Sequence, residues 1–341
     1  MNIMLVGDVL VRREDPPSVF RYMRDVFQQA DILFGNLEGA IADGGTPLAK
    51  AHEADWKKAD ARQMSALVSA GFSAVNVANN HMMDFGHEAL LETLEHLDRA
   101  GILHTGGGRN FAAAHMPAIV EREGCRVALL GYTSVFTESW AAGPQSAGLA
   151  VLPAKTAYEP PPRFLEVPGT PPTIHTWMLP EAKSQLRADI AAAREKADIV
   201  ICTFHWGVSK GVQNITDYQI ELGHHAIDCG ADLVFGHHPH RIHGIEVYQG
   251  RAIFYSLGNF TFADHNPKKG HELETLAVRC VVQDRQIKSV EYVPVLCDAQ
   301  LNPHPLSLDE GSAIVDTVKQ RSARFDTRFV AGRDAVIVVS A

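Results

Sequence analysis

The 341-residue chain is poor in the features that mark several large protein classes. It has five cysteines, Cys125, Cys202, Cys229, Cys280 and Cys297, scattered and without any Cys-x-x-Cys pair. That spacing excludes a disulfide framework and a thiolate zinc site. No stretch reaches the roughly 18 consecutive apolar residues that a membrane-spanning helix needs. The first residues, Met-Asn-Ile-Met-Leu-Val-Gly-Asp, show no cationic segment ahead of an apolar run, so reduced thiols in a cytoplasm are expected. Lysine and arginine number 31 against 40 aspartate and glutamate, a formal charge of −9, which argues against nucleic acid or an anionic membrane as a partner. Gly-x-x-x-x-Gly-Lys-Ser/Thr is missing too, and with it the usual phosphate loop of an ATP-dependent ligase.

What is present is an α/β rhythm. Short apolar runs at residues 3–6, 32–34, 74–77, 127–130, 199–204 and 233–235 alternate with stretches of helical period at 19–29, 88–100, 181–196 and 218–229. Strand, helix, strand predicts a mostly parallel sheet covered on both faces. Residues 242–247, 252–257, 275–282 and 287–293 follow with no long helix between them and read as hairpin strands. Eight prolines between Pro153 and Pro180 forbid regular helix or a central strand there, so this segment is expected to form an insertion or lid. Residues 1–297 are read as one domain, with the proline-rich insertion at about 137–180, and residues 298–341 as an extension packed on it or trailing from it.

In open α/β sheets ligands bind beyond the carboxyl ends of the strands, where loops converge. Five runs deliver polar residues there: Gly7-Asp8; Gly35-Asn36-Leu37-Glu38; Asn79-Asn80-His81; His205-Trp206-Gly207; and Gly236-His237-His238-Pro239-His240. Any one alone is more often a turn former, a helix cap or a structural histidine. Together, Asp8, Glu38 and Asn80 offer oxygen while His205, His238 and His240 offer nitrogen, a mixture that suits Mn, Fe, Zn or Ni. An open catalytic metal site with one or two divalent ions is the expectation. Arg109, after three glycines, and Trp206 are candidates for touching a small-molecule or peptide substrate, and a solvated loop is an equal reading for Arg109. Ser256 and Asn259 are either hydrogen-bond partners of the ligands or turn residues.

These segments, with Ala78-Asn79-Asn80-His81-Met82-Met83-Asp84-Phe85-Gly86 and Tyr255-Ser256-Leu257-Gly258-Asn259-Phe260, resemble the CapA, or poly-γ-glutamate capsule biosynthesis, family, itself related to the calcineurin-like metallophosphoesterases. The resemblance runs from residue 7 to 260 and implies a four-layer α/β/β/α metallophosphoesterase-like sandwich with two central mixed sheets. It implies that Asp8 is the first metal carboxylate, that Glu38 bridges two metals, that Asn80 is the amide ligand, and that His205, His238 and His240 are the imidazole ligands. Asn36, Asn79 and His237 are further candidates as ligands or as groups behind them, with His237 and His238 alternatives at one position. His81 resembles the histidine that donates a proton, and Asp84 would face it if a helix begins there. The phosphoesterase pattern departs at Leu10, where a histidine is usual; one of the two metal sites is then short of a ligand, to be weak, empty, or completed by His237 or water. Three functions follow as expectations: a hydrolase of a phosphoester or of a peptide or polyglutamate amide, a peptide Cα epimerase, and a capsule component that binds without chemistry.

Overall fold

The computed structural model describes residues 1–48, 57–163, 165–209 and 214–339. The chain opens with β1 (Asn2–Leu10), β2 (Ile32–Leu37), β3 (Ala74–Asn76) and β4 (Leu103–Thr105), paired side by side in parallel. Parallel neighbours need crossovers, and helices α1 (Met64–Ala70) and α2 (Gly86–Ala100) supply them before β3 and β4. The chain then builds a second sheet from β5 (Ala118–Arg122), β6 (Cys125–Thr133), β7 (Ile199–His205), β8 (Leu233–His237), β9 (Ile245–Tyr248) and β10 (Arg251–Phe254). Its order is β9-β10-β8-β7-β6-β5, with α3 (Pro180–Arg194) and α4 (Asp217–Asp228) as crossovers.

Finally the chain returns to the first sheet through β11 (Asn259–Phe262), β12 (Glu274–Gln283), β13 (Gln286–Cys297), β14 (Pro303–Pro305), helix α5 (Ser312–Ser322), β15 (Arg328–Ala331) and β16 (Val336–Val339). The ten-stranded result runs β15-β16-β13-β12-β1-β2-β3-β4, with β11 parallel beside β1 and β14 beside β13. Segments beyond Cys297 thus complete the first sheet, and Ile314 and Val318 of α5 enter the core between the sheets.

Alternation along the strands produces the layers, because successive side chains point to opposite faces. Ile3 and Leu5 of β1 meet Val127 and Leu129 of β6 and Ile199 and Ile201 of β7 in the core between the sheets. Met4 and Val6 face outward onto Leu67, Leu90 and Leu97 of α1 and α2. Ala128, Leu130, Val200 and Cys202 face the other way, onto Leu186, Ile190 and Leu222 of α3 and α4. Helices, sheet, sheet, helices is the four-layer sandwich expected.

Details differ from the sequence reading. Residues 19–29 form no continuous helix: a 3₁₀ turn, Pro16–Phe20, and a single helical turn, Arg24–Phe27, take their place. Paired prolines begin the segment, and Phe20 and Phe27 lock it by packing against Phe72 and Phe260. β10 joins the antiparallel hairpin with β9 but also runs parallel to β8. In the proline-rich insertion, Ala154–Glu159 and Thr173–Met178 pair as a separate hairpin outside both central sheets, as the prolines require. No helix among the described residues is long and apolar enough to cross a membrane.

Candidate metal centre

Between the sheets, the apolar inner face becomes polar at the strands' carboxyl ends. Two residues past Phe34 is Asn36, two past Ala74 is Asn76, and two past Phe235 is His237; His205 lies four past Ile201. All four point the way their apolar predecessors do. Asp8 should point outward by the same rule, since Met4 and Val6 do. A β-bulge reverses it. Leu5 lies opposite Phe34 and Asp8 opposite Asn36, so three steps along β1 span two along β2, and the extra residue turns Asp8 inward. Gly7 permits the kink: the Asp8 amide donates to the Gly258 carbonyl at 3.1 Å, and a Cβ on Gly7 would fall 1.9 Å from that oxygen.

Five loops then converge. Asp8 Oδ1 lies 3.1 Å from His237 Nδ1, and its Oδ2 lies 3.7 Å from His240 Nδ1. Glu38 Oε1 is 3.5 Å from His205 Nε2 and 3.6 Å from His240 Nε2. Asn80 Oδ1 sits 2.6 Å from His205 Nε2. Two overlapping trios, Asp8 with Glu38 and His205, and Glu38 with His238 and His240, each bring their donor atoms within 4.8 Å of one another. Glu38 belongs to both. His238 and His240 adopt positive φ, 93° and 57°, a conformation that costs side-chain-bearing residues on the order of 1–3 kcal/mol each and that marks functional loops.

Amides hold the carboxylate in place. Asn76 Nδ2 donates to Asn36 Oδ1 at 2.9 Å, and Asn36 Nδ2 donates to Asp8 Oδ1 at 2.8 Å. Behind the imidazoles, Asn259 Oδ1 lies 2.8 Å from His240 Nδ1. Beside the cluster, His81 Nδ1 is 2.8 Å from Asp84 Oδ2, which also accepts from the Lys57 backbone amide at 2.7 Å.

Electrostatics favour a cation. Burial opposes ionisation of Asp8, yet His237, His240 and the Asn36 amide outweigh it and leave the carboxyl below its ordinary range. Burial, followed by the neighbouring His238, His237, His240 and His81, holds the His205 imidazole far below its usual pKa. Burial and His240 push His238 down to about 3. At neutral pH Asp8 is therefore a carboxylate, and His205 and His238 are uncharged imidazoles with one ring nitrogen each free of a proton, the form in which these groups bind metals.

Two imidazoles near the cluster share this behaviour. Burial, Arg321 and Arg241 take His243 to about 3, and burial with His240 takes His271 to about 2. In the unfolded chain such groups titrate near 6.5, so below that pH unfolding takes up protons that the native state refuses. Their contribution is complete above pH 6.5 and is lost as the pH falls towards 3. The thermal midpoint of metal-free protein should drop steadily between pH 6.5 and 4. His243→Leu should flatten that dependence by about one proton, roughly 1.4 kcal/mol per pH unit. An unchanged slope would mean that His243 is protonated in the native state.

A model of the family described as bacterial capsule synthesis protein PGA_cap matches residues 2–264. The chain belongs to the PGA_cap family. It is 29% identical over 279 residues to the PGA biosynthesis protein CapA of Bacillus subtilis, covering 77% of this chain and 63% of that one. Identity to the protein y4sH of Sinorhizobium fredii is 31% over 321 residues, covering 80% and 68%. The chain thus spans less than two thirds of the length of the Bacillus protein. Among solved structures, a hypothetical protein from Thermus thermophilus has a similar fold, with a TM-score of 0.53 at 15% identity over 86% of this chain and 98% of that one.

Within this PGA_cap chain the candidate ligands Asp8, Glu38, Asn80, His205, His238 and His240 come together, and His237 lies with them beside Asp8. Leu10 lies in the outer core against the helices, so a ligand from that position is lacking. Asn79 is a clip: its Oδ1 accepts from the His81 and Met82 amides and its Nδ2 donates to the Leu37 carbonyl. Ser256 is a turn residue whose hydroxyl accepts from the Gly258 amide. His81 and Asp84 pair within a turn that precedes α2, which begins at Gly86, not inside a helix.

Trp206 requires correction. It is fully buried in the outer core, stacked between Phe204 and Tyr255, and its Nε1 donates to the Tyr255 carbonyl at 2.8 Å. A substrate cannot reach it. Arg109 is exposed one residue before Asn110, which caps the short helix Phe111–Ala114, and among the described residues it makes no hydrogen bond or ion pair with the cluster. Asn76 and Lys57 were missed. The first is visible in the sequence as the inner-face partner of Ala74, whereas Lys57 acts through its backbone amide, which no side-chain pattern reveals.

Proposed function

We propose that this PGA_cap protein is a metal-dependent hydrolase that cleaves a phosphoester or a peptide or polyglutamate amide. The observation that carries the reading is the buried donor set: two carboxylates, Asp8 and Glu38, among His205, His237, His238 and His240. Among the described residues Asp8 is paired with imidazole and amide and with no lysine or arginine, so a cation fits the charge left over. A divalent ion there would supply Lewis-acid polarisation of the scissile group and lower the pKa of water to about 7.

The chain's own residues do the rest. Asn76 and Asn36 fix the Asp8 carboxylate, Asn259 orients His240, and Asp84 sets the tautomer of His81. His81, outside the donor trios, is then the group that transfers a proton to the leaving atom. Among the described residues His81 with Asp84 is the one His–Asp pair beside the cluster whose members both lie outside the donor trios, which supports hydrolysis over epimerisation, a reaction that requires a base on each face of the Cα. Names of relatives such as the PGA biosynthesis protein CapA support a polyglutamate substrate.

Protein loaded in turn with Mn, Fe, Zn and Ni should hydrolyse nitrophenyl phosphate or shorten poly-γ-glutamate. Cleavage of neither with any of the four metals would refute the reading, and solvent deuterium entering Cα without cleavage would assign an isomerase instead. His81→Gln should lower kcat about 10²- to 10⁴-fold with bound metal unchanged. A loss of metal with that variant would place His81 among the ligands.

A further inference from the structure

Arg241 directly follows the ligand His240 and is only 6% exposed. Its Nη2 donates to the Gly270 carbonyl at 2.7 Å, while Nε is buried with no acceptor among the described residues. Among the described residues no carboxylate pairs with it. Two other part-buried arginines are matched by carboxylates: Arg321 is held by both oxygens of Glu272 at 2.9 Å, and Arg279 by Glu291 and Asp334. In a chain with a formal charge of −9, acidic partners are not scarce. A guanidinium withdrawn from water without a counter-anion is destabilising, so its retention calls for an anion from outside the chain.

Its place in the fold says which molecule brings that anion. Gly270 precedes His271, whose ring packs 4.3 Å from that of His240. A Cβ on Gly270 would meet Arg241 Nη2 at 2.0 Å and the Ser209 carbonyl at 3.5 Å. The loops after His205, after His240 and before His271 therefore meet at this guanidinium, on the flank of the candidate metal centre. Two residues on, His243 is buried, and neither of its ring nitrogens has a hydrogen-bond partner among the described residues.

We propose that Arg241 is a specificity-determining residue that binds an anionic group, carboxylate or phosphate, of the molecule acted on at the metal centre. The proposal rests on the reading of that centre given above. It is tested by calorimetric titration of the full chain, metal-loaded and metal-free, with inorganic phosphate and separately with glutarate, for the wild type, Arg241→Gln and Arg241→Lys. Loss of a charge-assisted hydrogen bond predicts roughly 10- to 100-fold weaker binding to Arg241→Gln, part of which Arg241→Lys restores. Phosphate preferred over glutarate identifies a phosphoryl group, and the reverse a carboxylate. Bound metal stays equal in all three proteins, and the melting temperature of Arg241→Gln does not fall, because an unmatched buried charge has been removed. Equal affinity of Arg241→Gln and wild type for both anions, or no binding of either anion by the wild type, overturns the proposal. So does a marked drop in melting temperature without a change in affinity, which assigns Arg241 to the scaffold. Failure of the metal reading appears separately, as a chain that takes up no stoichiometric ion, and the metal-free titrations still judge Arg241.

Discussion

Asp8→Asn should leave the protein folded and unable to retain the proposed ion. The substitution keeps the shape of the side chain but removes its charge and turns an NH₂ towards His237 and His240, whose nitrogens lie 3.1 and 3.7 Å from the carboxylate. Loss of a group that merely orients a ligand weakens metal binding about 10- to 100-fold, and loss of the ligand's charge should exceed that. Metal content after dialysis, measured by mass spectrometry, is expected to fall from stoichiometric to near background. A ligand at 100 times its Kd stabilises the native state by about 2.7 kcal/mol, so added metal should raise the melting temperature of the wild type and not of the variant. Metal-free Asp8→Asn should melt somewhat below the metal-free wild type, since the fold holds the Asp8 carboxyl below its ordinary range and so gains stability from its ionised form. Asn76→Leu, which breaks the relay to Asp8 through Asn36, should fall between the two proteins in metal affinity. If Asp8→Asn keeps a full complement of metal, the centre lies elsewhere.

The sequence shows why this centre was largely legible and where legibility stopped. Glu38, Asn80, His205, His238 and His240 each follow an apolar run that is a strand, and strand ends in a parallel sheet meet at one place. Period-two alternation also separates His205 from Trp206: Ile199 and Ile201 share the face of His205, while Val200, Cys202 and Phe204 share that of Trp206. Adjacency in a motif suggested a common site for the two, and the pleat sends them to opposite faces. Asp8 is the reverse case. Its inward aim depends on a bulge fixed by contact with Gly258, some 250 positions away, so no local pattern encodes it. The 3₁₀ turn at Pro16–Phe20 likewise follows from aromatic contacts with Phe72 and Phe260, not from local periodicity.

That long-range contact sets the second large effect. Gly7→Ala should cost about 3 kcal/mol or more, the upper range for overpacking, because the new methyl would lie 1.9 Å from the Gly258 carbonyl oxygen and 3.0 Å from its carbon. Neither partner is the free end of a flexible side chain; both are backbone, and Gly258 itself sits at φ 82° in the turn leading to Asn259. Relief requires β1 to separate from that turn, breaking the Asp8 amide bond to Gly258 and the pairing of Asp8 with Asn259. Asp8 would then shift relative to His240, which Asn259 orients. At roughly 1.4 °C per kcal/mol for a chain of this length, the melting temperature should fall by about 4 °C or more. Metal affinity should fall with it, although no ligand has been changed. Ala at position 71 makes the control: Gly71 ends α1 at φ 81° with nothing within 4 Å of where a Cβ would sit, so Gly71→Ala should cost only the strain of that conformation, on the order of 1 kcal/mol, and leave metal binding intact. A Gly7→Ala protein as stable and as metal-competent as the control would show that β1 and the Gly258 turn do not touch, and would remove the bulge that aims Asp8.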